Sequence, residues 1–134
     1  MANDAHLAVL EQGVAAWNQW RLMHAAVRPD LSSASLRGLD LAKVDLSGAD
    51  LRQTDLRGTI LSSAVLIDAD LTGANFFKSV LDGADLSGAN LIGARFLNCA
   101  QLIAARNWQS AVRDQELECG APIPAPAAGR GQRT

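Results

Sequence analysis

The sequence predicts a mainly β chain wound into a column that turns a corner after every fifth residue. Three observations carry that expectation. A large apolar residue recurs in steps of five from Leu31 through Leu36, Leu41, Leu46, Leu51, Leu56, Leu61, Leu66, Leu71, Phe76, Leu81, Leu86 and Leu91 to Phe96, fourteen positions without a miss. Two residues before most of them stands a small side chain, as at Ala34, Ala49, Ala64, Ala69, Ala74, Ala84, Ala89 and Ala94. Two residues after them glycine is frequent, as at Gly38, Gly48, Gly58, Gly73, Gly83, Gly88 and Gly93. In a helix, residues five apart lie about 140° from one another, so the leucines would spread around all sides. In a flat strand an odd step of five alternates faces. A short extended segment puts residues i and i−2 on one side, and a glycine-rich position then turns the chain.

Asp or Asn stands between the small and the large residue in most repeats. Ala49-Asp50-Leu51, Ala69-Asp70-Leu71, Ala84-Asp85-Leu86 and Ala89-Asn90-Leu91 are complete examples. This pattern resembles the pentapeptide-repeat family, whose motif is Ala-(Asp/Asn)-Leu-X-X, and the resemblance covers about half of the chain. It implies a right-handed quadrilateral parallel β-helix with four pentads per coil and about 3.5 coils. At about 4.8 Å per coil the column is about 17 Å long. Residues twenty apart would then stack, with Leu36, Leu56, Phe76 and Phe96 in one interior ladder and the two phenylalanine rings in contact.

The elements follow in order. Residues 1–28 read as an N-terminal capping helix. Asp4 is placed to cap it, Leu7, Leu10, Val14 and Trp17 form its apolar stripe, and Trp20, His24 and Val27 widen that stripe. Pro29 stops it, and the residue before a proline is biased toward extended structure. A helix at this place can cover the unpaired edge of the first coil, and similar helical leaders precede the repeats of many bacterial members of the family. Residues 29–103 are the β-helix, with Ala100-Gln101-Leu102 as one more triad, a residue late. Residues 104–120 read as a short C-terminal capping helix, started by Asn107, with Trp108, Ala111, Val112 and Leu117 on its inner side and Gly120 at its end. The proline-rich residues 121–134 read as a disordered tail.

Composition narrows the function. A net charge of −2 argues against a nucleic-acid or membrane-surface partner, and no stretch is long and apolar enough to span a membrane. Met1-Ala2-Asn3-Asp4 has no signal-peptide character, so the cytoplasm is the expected location. Cys99 and Cys119 are expected there as free thiols, with a disulfide between them as the alternative. With no histidine nearby they make no metal site. No nucleophile stands with a base, and no glycine-rich loop joins a strand to a helix. Neither a catalytic residue nor a cofactor is expected, and the chain reads as a non-catalytic scaffold or protein-interaction module.

Two surfaces are candidates. Ile60 and Val80 replace the usual Asp or Asn, and Phe77 and Leu97 occupy the outward position after the large residue. The twenty-residue stacking puts all four at one corner, an apolar patch suited to another protein or a second copy of the chain. A terminal helix folded over the patch is the alternative. The second surface is acidic, with Asp30, Asp50 and Asp70 stacked on one face and Asp45 and Asp85 on the next. The family includes DNA-mimicking inhibitors of DNA gyrase, and an acidic ladder would suit that role. The competing reading is that these acids bond their own turns. From Asp30 to Asn98 there are nine acids against six bases, only a mild excess.

Overall fold

A computed structural model of the chain describes residues 1–120; the expected tail lies outside them. The column forms because each pentad bonds both to itself and to its neighbours one coil away. The Leu31 amide donates to the Asp50 carbonyl at 2.9 Å, and the Asp50 amide donates to the Pro29 carbonyl at 2.8 Å. Repeated upward, this pairing joins residues twenty apart in parallel. Asp30, Asp50, Asp70 and Asn90 form the first face, and Ser35, Asp55, Asn75 and Arg95 the second. Asp40, Ile60 and Val80 form the third, and Asp45, Val65 and Asp85 the fourth. Four pentads therefore make one coil.

The second residue after each leucine lies in the left-handed region, at glycines such as Gly73 and also at Ser33, Lys43, Gln53, Ser63, Asp68 and Lys78. At position 73 a flexible neighbour also lies close. The Gln53 side chain lies across the glycine, and a Cβ there would stand 2.2 Å from Gln53 Nε2. Inside the column, thirteen of the fourteen ladder residues are buried, Phe96 being the exception. The inward hydroxyls are satisfied: Thr59 donates to the Leu36 carbonyl at 2.8 Å, and Thr54 and Ser79 donate to the carbonyls three residues before them.

The N-terminal segment differs from the single helix expected. It forms α1 (Asp4–Glu11) and α2 (Val14–Met23), separated where Gly13 takes a φ of 109°. The cap of α1 is Asn3 and not Asp4; its side chain accepts from the amides of Ala5 and His6. Leu10 and Trp17 are buried against the column, whereas His24 and Val27 stay exposed. The two helices also bond the edge of the first coil. The Asn3 amide donates to the Asp30 carbonyl, and the Asp30 amide donates to His6 Nδ1. Trp17 Nε1 donates to the Asp45 carbonyl at 2.7 Å, while Asn18 accepts from the Asp45 amide and donates to the Lys43 carbonyl. Orphan edge groups on the first and fourth faces thus find partners.

The largest departure comes at the other end. Phe96 turns its ring outward and is 65% exposed, and Leu97 takes the interior place at 9%. The corner has come early: Phe96 itself holds the left-handed conformation, with φ 58°. Phe76 and Phe96 therefore do not stack inside the column. Beyond Leu97 the third face is occupied by α3 (Cys99–Ile103), capped by Asn98 and Gln101. Leu102 fills the core one residue late, as the sequence suggested. Pairing then resumes with Arg106 beside Asp85 and Val112 beside Asn90. The expected helix over 104–120 is replaced by this resumed coil and two short 3₁₀ turns, Trp108–Ser110 and Gln115–Leu117. Val112 faces outward on that coil, while Trp108, Ala111 and Leu117 point in. Asn107 is not a helix cap; it is left-handed, and its Nδ2 donates to Asp85. Cys99 and Cys119 are joined in a disulfide with Cα atoms 5.3 Å apart, against the expectation of free thiols. Their separation of 20 residues equals one coil, the same step that joins stacked positions elsewhere in the column.

Candidate functional site

The corner between the second and third faces carries a cluster of exposed apolar residues. Its turn positions ascend from Arg37-Gly38 through Arg57-Gly58 to Phe77-Lys78, and the third face begins beside it with Asp40, Ile60 and Val80. Ile60 is 37% exposed, Phe77 46% and Val80 38%. Among the described residues no helix covers them. Leu97 does not belong to this patch, because it is in the core. Phe96 takes its place, edge-on to Phe77 with ring centroids 5.6 Å apart. Sequence reasoning missed Phe96 because an unbroken period of five assigns it inward. The available signal was Arg95, the one basic residue at the Asp/Asn position, followed by Phe96-Leu97, two large apolar residues that compete for one interior site.

Below Phe77 the same corner opens into a cleft of about 380 Å³, lined by Arg37, Gly38, Arg57, Gly58, Phe77 and Lys78. Its cations differ in their partners. Arg57 grips Asp55 through Nε and Nη2 at 2.8 and 2.6 Å, as Arg52 grips Asp50. Ser35 and Asn75 occupy the corresponding places in the coils below and above, so Arg37 and Lys78 have no acid in their own pentads. Lys78 Nζ stands 5.4 Å from the centroid of the Phe77 ring.

The acidic residues stand on the faces expected of them, Asp30, Asp50 and Asp70 on the first and Asp45 and Asp85 on the fourth. Each of them uses its carboxylate locally. Oδ1 accepts the amide two residues ahead, from Ser32, Arg52, Thr72, Ser47 and Ser87. In all of these except Asp50 it also accepts the hydroxyl of that residue. Asn75 and Asn90 make the same amide contact, so the turn needs the carbonyl-type oxygen and not the charge. Where donors converge, the acid is strengthened. The Arg57 hydrogen bonds hold the Asp55 carboxyl down at about 2. Those of Arg52 lower Asp50, those of Ser32 lower Asp30, and those of Ser87 and Asn107 lower Asp85. Among the described residues, no three His, Cys, Asp or Glu side chains converge as a metal site would require, and no helix is long and apolar enough to cross a membrane.

Comparison with known proteins adds the family. The family model described as pentapeptide repeats matches residues 30–62 and 69–100, in 8 copies. No curated protein matches the chain. Among solved structures, it is similar to a pentapeptide-repeat protein of the Arabidopsis thaliana thylakoid lumen, with 37% identity over 52% of this chain and 55% of that one and a TM-score of 0.43. It is also similar to the pentapeptide-repeat protein Rfr23 of the cyanobacterium Cyanothece 51142, with 31% identity over 62% and 55% of the two chains and a TM-score of 0.37. HetL of Nostoc sp. strain PCC 7120, a pentapeptide-repeat protein involved in regulating heterocyst differentiation, shares 32% identity over 63% and 44%, with a TM-score of 0.25. The matched region spans about half the length of each of these proteins.

Proposed function

As the chain belongs to the pentapeptide-repeat family, we propose that it is a non-catalytic protein-interaction module, a right-handed β-helix capped at its start by α1 and α2, whose contact surface is the corner formed by Ile60, Phe77, Val80 and Phe96. One observation carries this reading. Phe96 sits at φ 58° with most of its ring in water. A bulky side chain in the left-handed region is unfavourable, and an exposed aromatic earns little from folding. Other corners give this conformation to glycine or to polar residues such as Lys43 and Lys78, so an exposed aromatic at this corner suits a contact. The disulfide favours an oxidising compartment over the cytoplasm expected from the sequence.

The test compares complexes formed by the native chain and by the double variant Phe77→Asp with Val80→Lys. Sedimentation of the purified protein detects self-association, and capture from lysate detects other partners. Circular dichroism confirms that the column is intact. Complexes lost with an intact column support the corner as the contact. Complexes that survive the double change sink it.

A further inference from the structure

The corner has two chemistries, one apolar and one cationic. Ile60, Val80, Phe77 and Phe96 form the apolar rim. Directly beneath, the cleft is lined by three cations and no acid. Arg57 spends its charge on Asp55. Arg37 and Lys78 are exposed and, among the described residues, have no salt-bridge partner. The floor between them is open because Gly38 and Gly58 stack there, and a Cβ built at either one meets nothing within 4 Å. On the neighbouring corner Arg52 is paired to Asp50 within its own pentad.

We propose that this corner receives an acidic peptide segment of a partner protein, with a large apolar side chain against Phe77 and Phe96 and carboxylates at Arg37 and Lys78. The inference rests on the corner being a protein contact and adds the chemistry of its occupant. Complementary charge selects the partner and orients it, since an apolar ridge alone has no preferred direction. Exposed guanidinium and ammonium groups beside an aromatic ring suit a carboxylate that is followed by an apolar residue. A phosphate polymer suits the surface less well. It would gain nothing from Ile60 and Val80.

The experiment is a fluorescence-anisotropy titration of the full chain with labelled model peptides. The probe is Glu-Phe-Glu-Glu-Phe-Glu; its controls replace every Glu by Gln, or every Phe by Ser. The acidic-aromatic peptide is expected to bind about tenfold more tightly than either control, the equivalent of about 1.4 kcal/mol. Arg37→Glu and Lys78→Glu are each expected to weaken it by about the same factor, as is Phe77→Ser, and raising salt weakens it several-fold. Both charge changes are on exposed side chains, and circular dichroism confirms the fold. Equal binding of the Gln peptide, or indifference to Arg37→Glu, overturns the acidic occupant while leaving an apolar contact in place. Displacement of the peptide by an oligothymidylate of similar length overturns it in favour of phosphate. Binding of none of the peptides also overturns it, and the complexes measured with Phe77→Asp and Val80→Lys then decide the wider reading independently.

Discussion

Phe96 packs edge-on against Phe77, with ring planes at 72°, on the outside of a column whose five-residue period assigns Phe96 to the inside. Leu97 fills the vacated place. The exchange of these two neighbours decides which residues hold the fold and which are free to meet a partner.

Truncation distinguishes the two registers. If the period of five held to its end, Phe76 and Phe96 would be equivalent core residues. In the structure Phe76 is fully buried and Phe96 is not. Phe76→Ala should therefore cost about 3–5 kcal/mol and Leu97→Ala about 2–5 kcal/mol, because both leave cavities. Phe96→Ala should cost about 1 kcal/mol or less, the worth of one exposed aromatic contact. Urea denaturation of the three variants checks this. Comparable losses at Phe76 and Phe96 would restore the uninterrupted ladder.

The left-handed conformation of Phe96 gives a second, independent prediction. Glycine has no Cβ to oppose a φ of 58°, whereas alanine does. Both substitutions remove the ring contact with Phe77. Phe96→Gly should thus be more stable than Phe96→Ala by about 1 kcal/mol, a reversal of the usual order in regular structure. Thermal melts of the pair would show a difference of a few degrees. If Phe96→Ala melts higher, the early corner is not present in solution.

Much of this was legible in the sequence, for a physical reason. From Leu31 to Leu91 most pentads solve the same problem in the same way: a large residue in, a small residue in, and a polar oxygen for the turn, which Ile60, Val65 and Val80 lack without breaking the register. One local rule therefore predicts the whole stack, including the placing of Ile60 and Val80 on one face. The rule fails where the repeat ends, because among the described residues the last coil has no neighbour above it. There the chain takes an early corner at Phe96, inserts α3 and closes with Cys99–Cys119, and none of these follows from the period alone. The cysteine separation of 20 residues was the readable hint, since it equals one coil. The break between α1 and α2 was also readable at Gly13, which interrupts an otherwise continuous apolar stripe. That Arg37 lacks an acid in its own pentad was harder to see, because it depends on what stands before it: Ser35, where Asp50 and Asp55 stand before their arginines.

The disulfide should stabilise the last coil through the unfolded state. Closing a loop of this separation is worth about 3 kcal/mol in the chain-entropy account. Cys99→Ser with Cys119→Ser should lower the melting temperature by several degrees, and dithiothreitol should do the same to the native chain but not to the double variant. Limited proteolysis locates the effect. New cleavage should fall between Cys99 and Gly120, while the coils from Leu31 to Leu91 stay protected. A loss of protection along the whole column would mean that the closed coil holds up the entire stack.

Acid should loosen the column over a defined range. The carboxyl of Asp55 is held at about 2 by Arg57, and those of Asp30, Asp50 and Asp85 are also held below their ordinary value. A carboxyl that is more acidic when folded binds fewer protons in the folded state than in the unfolded one. Its contribution is complete above the unfolded value of about 4 and disappears as pH falls through the folded value. Stability should therefore decline from about pH 4 to about pH 2. Asp55→Asn isolates one part of this decline, because asparagine keeps the turn bond, as Asn75 and Asn90 do, and loses only the ion pair with Arg57. The pair is largely solvated, so at neutral pH the variant should be only slightly less stable. That gap should narrow between pH 4 and pH 2, where the native carboxyl is half protonated, and vanish below it. Melting curves of both proteins at pH 7, 4, 3 and 2 make the comparison, and a gap that stays constant would place the acid sensitivity elsewhere than at Asp55.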